Sequence, residues 1–245
     1  MKNIRPKKVS NTILLVDDDN ILRSEFIDCF EEYNIIEAVN GESALSILKK
    51  PNQIDLVILD VRMPGRSGLE ILKCIREMDK DVKIIIFTGY GSKDTVLSAF
   101  RDKADDFIEK PLDVDSTREV IEKVLSTKKG LPESDGMDLK DKMEKVKVFI
   151  ERNYLKKVTL KDASNVVGLS PKYLSRMFRE KINMGFNDYK LRLKINKSKE
   201  FLKKTGYNVD QIAYKLGYEN SESFIRQFKK ITGFTPTEYR KRVKK

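Results

Sequence analysis

The segment ILLVDDDN, residues 13–20, determines the predicted fold of the first half of this 245-residue chain. Four consecutive aliphatic residues predict a strand that is buried on both faces, and the three aspartates mark its end. A similar pattern returns in LVILD, residues 56–60. Strands of this kind belong to parallel sheets, so the pattern predicts an α/β fold.

Short β-branched runs alternate with amphipathic segments on both sides of this stretch. The predicted strands are 12–16, 35–39, 55–59, 83–87 and 106–108, and the predicted helices are 20–32, 41–49, 67–78, 92–101 and 113–125. Five such βα units predict a doubly wound, five-stranded parallel sheet with helices on both faces. Ligands bind at the carboxyl ends of the strands in such sheets.

The charge distribution divides the chain into two predicted domains. The net charge of +11 combines −5 over residues 1–127 with +16 over residues 138–245. Residues 128–137 contain Gly130, Pro132, Ser134 and Gly136 without apolar periodicity, which is typical of a linker. A strongly basic domain favours a polyanionic partner such as nucleic acid, and ordinary solubility is the alternative.

The composition excludes several classes of site. Histidine is absent, which removes imidazole bases, Ser-His and Cys-His pairs and histidine-bound metals. Cys29 and Cys74 are too few for a disulfide framework and indicate a reducing cytoplasm. No apolar run approaches the roughly 18 residues that cross a bilayer, so we expect no membrane segment and no membrane partner.

Chemically distinctive side chains stand at the predicted strand ends: Asp17, Asp18, Asp19, Asp60, Thr88 and Lys110. Carboxylates gathered at one sheet edge suit Mg²⁺, while Lys110 and Thr88 offer donors to phosphoryl oxygens. Asp60 is then a candidate nucleophile. Each residue alone has a simpler interpretation, such as a helix cap at Asp19 or Asn20, a turn aspartate or a solvated lysine.

Residues 12–125 resemble the receiver domain of two-component response regulators. The motifs that carry the resemblance are ILLVDDDN (13–20), LVILDVRMPGRSGLE (56–70), IIIFTGYGS (84–92) and DDFIEKPL (105–112). The resemblance implies a CheY-like, flavodoxin-like fold in which Asp60 is the phosphoacceptor and Thr88 and Lys110 hold the phosphoryl group. It implies a Mg²⁺ site of Asp17, Asp18, Asp60 and the backbone carbonyl of Arg62.

The same resemblance implies a switch made by Thr88 and Phe107, although an aromatic residue at that position is also explained as plain core. It further implies a phosphoryl donor on a sensor histidine kinase. Since this chain has no histidine, the donor imidazole must belong to another molecule. Such a domain is a substrate that slowly loses its phosphoryl group, and it is not otherwise an enzyme.

The second half has a helical pattern throughout and contains an internal repeat. The predicted helices are 138–153, 159–167, 171–182, 186–205, 208–217, 221–232 and 235–243. An offset of 50 places residues 170–192 over residues 220–242, which matches Arg176 with Arg226. We also expect this offset to match Ala163 with Ala213.

Two helix-turn-helix modules, about 159–182 and 209–231, account for the repeat. The second helix of such a pair enters the major groove of double-stranded DNA. Arg176 and Arg226 lie off the apolar stripe and are the leading candidates for contacts with guanine edges or phosphates. The other candidate contacts are Lys172, Tyr173, Ser175, Asn220, Glu222 and Ser223. A solvated surface is the alternative for each residue.

Residues 140–243 resemble the AraC/XylS-type DNA-binding domain, most fully in IAYKLGYENSESFIRQFKKITGFTPTEYR (212–240). The first copy departs from the family pattern by having Asn183 where the second has Gly233, and the connecting helix has Ser198 where alanine is usual. The resemblance implies two recognition helices in successive major-groove turns, about 34 Å apart. A homodimer and RNA polymerase are the further partners we expect.

These observations predict a cytoplasmic DNA-binding response regulator in which phosphoryl transfer to Asp60 controls sequence-specific DNA binding and transcription. The short linker fits either relief of inhibition or receiver dimerisation. One alternative is a phosphorylation-independent DNA-binding regulator whose receiver only dimerises or binds an adaptor. The other is a Mg²⁺-dependent phosphatase that uses Asp17 and Asp19, although Asp60 would then have no role.

Overall fold

The structure is a computed structural model that describes residues 11–79, 81–89, 99, 101–127 and 138–243. The chain forms two compact units, residues 1–133 and 134–245. The predicted linker 128–137 and most of the predicted helix 92–101 lie outside the described residues. None of the helices in the described ranges combines the length and the apolar character needed to cross a membrane.

The first unit is a parallel five-stranded sheet flanked by helices, as predicted. The strands and helices described in this unit are, in chain order, β1 Thr12–Val16, α1 Asn20–Cys29, β2 Asn34–Ala38, α2 Gly41–Lys49, β3 Ile54–Asp60, α3 Gly68–Met78, β4 Lys83–Gly89, β5 Asp106–Lys110 and α4 Val114–Ser126. Across the sheet the strands lie in the order β2-β1-β3-β4-β5. All four strand pairings are parallel.

The alternation of side chains along the central strands builds a separate core on each face of the sheet. Leu14 and Leu59 pack on one face, whereas Ile13 and Ile58 pack on the other. Every residue of β1 is buried. The continuous aliphatic runs in the sequence are therefore explained by burial on both faces.

The ends of several elements differ from the predicted ones. Helix α1 ends at Cys29 instead of residue 32, because residues 30–33 form a turn in which Tyr33 N donates to Phe30 O. Strand β2 ends at Ala38, since Asn40 caps helix α2 and Val39 is 51% exposed. Strands β3, β4 and β5 run two or fewer residues beyond the predicted ends, so Asp60, Thr88 and Lys110 lie within the last residues of their strands.

Within residues 138–243 the second unit consists of seven helices. They are α5 Leu139–Arg152, α6 Leu160–Val166, α7 Pro171–Ile182, α8 Phe186–Lys204, α9 Val209–Lys215, α10 Ser221–Thr232 and α11 Pro236–Val243. Two hydrophobic cores correspond to the two copies of the repeat, one around Phe178 and one around Phe228. The long helix α8 contributes to both cores, since Phe186 packs in the first and Leu202 in the second.

The repeat superposes in its recognition helices and in the helix that follows each of them. Phe178 meets Tyr189 edge to face with ring centroids 5.5 Å apart, and Phe228 meets Tyr239 in the same way at 5.5 Å. The two recognition helices end in residues with left-handed backbone, Asn183 at φ 55° and Gly233 at φ 81°. An offset of 50 is therefore confirmed from residue 170 onward.

The expected match of Ala163 with Ala213 is wrong. The first helix of each module begins in a capping box, Thr159 with Asp162 and Asn208 with Gln211, and these boxes are 49 residues apart. The left-handed glycines that follow, Gly168 and Gly217, are also 49 apart. The turn of the second module has one additional residue, and this insertion restores the offset of 50. Ser164, fully buried, is thus the counterpart of Ala213.

Candidate functional site

The carboxyl ends of the central strands bring the predicted acidic residues together. The ammonium nitrogen of Lys110 lies 2.8 Å from Asp17 Oδ2 and 2.9 Å from Asp60 Oδ2. Asp17 is fully buried, and Asp60 is 4% exposed. Residues from strand β5, from the end of β3 and from the loop after β1 thus form one charged cluster, which we call the acidic cluster.

Backbone donors hold the other carboxylate oxygens in place. Asp19 N donates to Asp17 Oδ1 at 2.9 Å, and Arg62 N donates to Asp60 Oδ1 at 3.1 Å. The Asp19 side chain is turned away from the cluster, because it accepts hydrogen bonds from Ile21 N and Leu22 N at the start of helix α1. Asp19 is therefore the helix cap, which leaves Asp17, Asp18 and Asp60 to face one another.

Burial and the lysine act in opposite directions on Asp60. Removal from water raises the pKa of Asp60, and the hydrogen bonds from Lys110 and Arg62 N only partly offset this effect. Burial also disfavours the charge on Lys110, but its hydrogen bonds with Asp17 and Asp60 dominate together and raise the pKa of Lys110. Lys110 therefore stays charged at neutral pH and offsets the repulsion between the two carboxylates.

The donor set fits Mg²⁺. Carboxylate oxygens of Asp17, Asp18 and Asp60 lie within 4.8 Å of one another, and Asp18 is exposed to solvent. Mg²⁺ prefers hard oxygen ligands and keeps several waters, so two buried carboxylates with an open, solvated side suit it. Arg62, whose backbone carbonyl is the predicted fourth ligand, follows β3 by two residues.

Thr88 and Phe107 occupy the neighbouring strands. Thr88 is the penultimate residue of β4 and is 1% exposed. Phe107, in β5, is partly buried and packs against the core on the Leu14 face of the sheet. The Lys110 ammonium lies 5.1 Å from the centroid of the Phe87 ring in β4. This cation–π contact stabilises the position of the ammonium group.

A buried arginine that the sequence analysis missed supports the loop after β1. Arg23, 5% exposed, donates to the Asp17 carbonyl at 2.8 Å, to Glu37 at 3.0 Å and to Asn20 at 3.0 Å. These bonds tie helix α1 and strand β2 to the loop that carries Asp17. An arginine on the inner face of an otherwise amphipathic helix is the only signal in the sequence.

A second group of predicted site residues lies on the two recognition helices, α7 and α10. Arg176 and Arg226 are exposed, whereas Leu174 and Phe224 two residues earlier are fully buried. The guanidinium of Arg176 lies 5.2 Å from the Tyr173 ring and 4.0 Å from Glu180. Both arginines thus point outward from equivalent positions of the repeat.

The structure places the remaining candidate DNA contacts in different environments. Tyr173 is half-buried and packs against the first core. Asn220 caps helix α10 through a 2.9 Å hydrogen bond from Ser223 N, so its side-chain oxygen already has a partner. The exposed candidates are Lys172, Ser175 and Glu222. Three further basic residues, not predicted as contacts from the sequence, are exposed on the two helices and add positive charge: Arg179, Lys229 and Lys230.

Two protein family models match this chain, one within each of its two compact units. The family model described as "Response regulator receiver domain" matches residues 13–122, and "Helix-turn-helix domain" matches residues 163–242. Sporulation initiation phosphotransferase F of Bacillus subtilis is 36% identical over 122 residues, which cover 49% of this chain and 98% of that protein. The chain belongs to the response regulator family.

Two relatives match the response regulator along nearly its whole length. A response regulatory protein of Staphylococcus epidermidis is 27% identical over 252 residues, covering 95% of this chain and 99% of the relative. The transcriptional regulatory protein HptR of Staphylococcus aureus is 26% identical over 253 residues, with 95% and 99% coverage. The receiver domain, the helix-turn-helix domain and these relatives together identify a DNA-binding response regulator.

The two families also define the regulator's partner classes. A receiver domain implies a kinase partner, and a helix-turn-helix domain implies DNA binding. This architecture is that of a regulator.

Proposed function

We propose that Asp60 accepts a phosphoryl group from the phosphohistidine of a sensor histidine kinase, and that this modification controls DNA binding and transcription through residues 138–245. The observation that carries the proposal is the position of the Lys110 ammonium, 2.8 Å from Asp17 and 2.9 Å from Asp60. A buried carboxylate beside a fixed positive charge suits a nucleophile whose product carries additional negative charge.

In the proposed reaction, a carboxylate oxygen of Asp60 attacks the phosphorus of the donor. An oxygen–phosphorus bond forms, the phosphorus–nitrogen bond of the phosphohistidine breaks, and the leaving imidazole takes up a proton. Lys110 and the Thr88 hydroxyl donate hydrogen bonds to the phosphoryl oxygens. Slow attack by water on the phosphorus of this acyl phosphate breaks the new oxygen–phosphorus bond, releases inorganic phosphate and returns the free carboxylate.

The proposal assigns Mg²⁺ to Asp17, Asp18, Asp60 and the backbone carbonyl of Arg62. When bound, the ion offsets the negative charge of the carboxylates and the incoming phosphoryl group. Asp17 and Asp60 enter the site already oriented by the backbone N–H groups of Asp19 and Arg62. Arg23 acts as a positioning residue, since it holds the carbonyl of Asp17.

Signal transmission is proposed to run through Thr88, the penultimate residue of β4, and Phe107, which lies three residues before Lys110 in β5. The proposal includes a homodimer and contact with RNA polymerase at the promoter, and the support for both is the two-domain architecture alone. It places the protein in the cytoplasm, where a kinase partner and promoter DNA are both accessible.

For DNA recognition, we propose that helices α7 and α10 enter successive major grooves. Arg176 and Arg226 support this proposal, since they are exposed at equivalent positions on the two helices. Lys172, Ser175, Glu222 and Ser223 remain proposed contacts. Asn220 and Tyr173 would contact DNA with the parts of their side chains that capping and core packing leave available.

Intact-mass analysis after incubation with Mg²⁺ and a small phosphodonor tests the acceptor. We expect one phosphoryl adduct on the wild type, none on Asp60→Asn, and an unchanged adduct on the control Asp115→Asn, which alters an exposed carboxylate of helix α4. An adduct that persists in Asp60→Asn would refute the site assignment.

Footprinting the phosphorylated and unphosphorylated regulator on the same promoter DNA tests the coupling. The proposal requires a difference in affinity or in protected length between the two forms. Identical footprints would favour the alternative regulator, in which DNA binding does not depend on phosphorylation.

A further inference from the structure

The second unit contains a cavity that the proposed function does not use. It lies between the end of helix α5, the first half of α8 and the turn before α10, and its volume is about 390 Å³. We call it the lysine cavity and define it by Tyr154, Lys157, Lys190, Leu191, Lys194 and Tyr218. Its volume falls within the range of about 300 to 1,000 Å³ that is typical of small-molecule sites.

Lys194 is the central charged group of the lysine cavity. Its side chain is half-buried, and its ammonium lies 5.2 Å from the centroid of the Tyr218 ring. Within the described residues, the Lys194 ammonium has no hydrogen-bond acceptor and no carboxylate partner. A desolvated charge without a counter-ion is unfavourable, so the site has a deficit of negative charge.

Lys190, one helical turn earlier, increases this deficit. Its ammonium donates to Val158 O at 2.6 Å and lies 5.0 Å from the Phe186 ring, which leaves two of its three N–H donors for another acceptor. Burial lowers the pKa of Lys194, and the neighbouring charge of Lys190 lowers it further. Two ammonium groups on one face of α8 are therefore held close together at an energetic cost.

Lys197, another lysine of helix α8, has a carboxylate partner. The ammonium of Lys197 lies 3.7 Å from Glu200, one turn along the same helix. By contrast, no acidic residue is found among the described residues that line the lysine cavity. Asp162, outside this lining, partly offsets the lowering of the Lys190 pKa by burial, but burial and Lys190 together lower the pKa of Lys194 without such an opposing carboxylate.

We propose that the lysine cavity binds a small phosphate monoester. A dianionic phosphate matches two or more ammonium donors, and lysine binds phosphate as a point charge. The rings of Tyr154 and Tyr218 and the side chain of Leu191 supply apolar walls for the organic part of the molecule. Such a ligand would bind next to Tyr218 in the second helix-turn-helix and would change the free energy of DNA binding.

Isothermal titration of the full chain with phenyl phosphate tests this proposal. We expect one saturable site with a dissociation constant below about 1 mM. Lys194→Met should weaken binding about tenfold or more, because it removes a charge-assisted hydrogen bond and keeps the length of the side chain. The matched control, Lys197→Met, changes a lysine of the same helix outside the cavity and should bind like the wild type. Absence of a saturable site, or unchanged binding by Lys194→Met, would overturn the proposal.

Folding and DNA binding are measured on the same variants. Lys194→Met removes a charge that has no counter-ion, so it should melt at or above the wild-type temperature, and a loss of ligand binding then does not reflect unfolding. The phosphate that binds in the cavity could instead belong to the DNA backbone. Measuring the affinity for duplex DNA at several salt concentrations distinguishes this source from a small phosphate monoester. One outcome is that Lys194→Met, but not Lys197→Met, reduces the slope of log affinity against log salt concentration by about one. If phenyl phosphate binding is unchanged at the same time, the lysine cavity contacts DNA and the proposal is wrong.

Discussion

Gly68 lies against the backbone of Asp60: a Cβ atom built on Gly68 would be 2.1 Å from the Asp60 carbonyl oxygen and 2.8 Å from the Cα of Val61. The Gly68 amide donates to the Val61 carbonyl at 3.0 Å, which ties the start of helix α3 to the end of β3. Ser67 and Glu70 close a capping box at the same place. The first residue of α3 therefore supports the backbone of the proposed phosphoacceptor directly.

We predict that Gly68→Ala destabilises the first unit and impairs the acidic cluster. The added methyl group meets backbone atoms that cannot move without displacing Asp60, and overpacking of this kind costs about 1 to 3 kcal/mol. Urea denaturation measures the stability, and the rate of adduct formation with a small phosphodonor measures the site. A wild-type midpoint and a wild-type rate would show that the backbone adjusts freely here.

Gly89→Ala is the matched control for that experiment. Gly89 ends strand β4 beside the acidic cluster, but a Cβ there would lie 3.9 Å from Lys110 Cβ, which is an ordinary van der Waals contact. We expect a much smaller change than for Gly68→Ala. Equal losses in both variants would mean that any alanine near the cluster is harmful and that the contact with Asp60 is not the cause.

Asp60→Asn should make the protein more stable at neutral pH in the absence of Mg²⁺. Burial raises the pKa of Asp60 in the folded state, so folded Asp60 binds a proton more tightly than unfolded Asp60. The stabilisation from this proton is present at low pH and is lost as the pH rises through the ordinary aspartate value, about 4, toward the folded pKa. The amide avoids this loss, and Lys110 keeps Asp17 as a partner.

Thermal melts between pH 4 and pH 7 measure the effect. The advantage of Asp60→Asn should shrink as the pH falls toward 4, and Mg²⁺ should stabilise the wild type more than the variant. Asp113→Asn gives a comparison of opposite sign, because the hydrogen bond from Ser116 N lowers the pKa of Asp113. That variant should be less stable than the wild type near pH 7. An Asp60→Asn variant that melts below the wild type throughout would contradict the burial argument.

The sequence predicts those features of the fold and site that local residue patterns determine. It does not predict the features that depend on contacts between elements distant in the chain. The strands were predictable because burial on both sheet faces requires continuous apolar runs, and the strand ends then placed Asp17, Asp60 and Lys110 at one edge. Gly68 and Arg23 were not recognised, since their importance depends on contacts with the backbone of distant elements. The inserted residue in the second helix-turn-helix was also missed, because Ala163 and Ala213 gave a coincidental match.

The left-handed ends of the two recognition helices provide a prediction about stability. Asn183 adopts φ 55°, where glycine is unstrained, and Gly233 adopts φ 81° at the equivalent position. Asn183→Gly should therefore stabilise the second unit by up to about 1 kcal/mol, and Gly233→Asn should destabilise it by a similar amount. Guanidinium midpoints measure both changes. The control Asn183→Ala should be less stable than the wild type, since alanine has no side-chain amide to favour this backbone conformation.

Arg176 and Arg226 provide a prediction about DNA binding that separates base contacts from phosphate contacts. If an arginine contacts a guanine edge, its replacement by alanine should cost about 1 to 3 kcal/mol on the specific site and much less on unrelated DNA. If it contacts a phosphate, the affinities for the specific site and for unrelated DNA should fall alike. The slope of log affinity against log salt concentration should then decrease in magnitude by about one.

Affinities of Arg176→Ala and Arg226→Ala at several salt concentrations measure this difference. Lys203→Ala is the control, because Lys203 is exposed in the last turn of α8 and lies outside both recognition helices. Since the two arginines occupy equivalent positions of the repeat, each should be required on its own half of the operator. Replacement of either residue should therefore shorten the footprint from one end, and the two variants should lose protection at opposite ends. Wild-type affinity and footprint in both variants would exclude the α7 and α10 surfaces as the groove-reading elements.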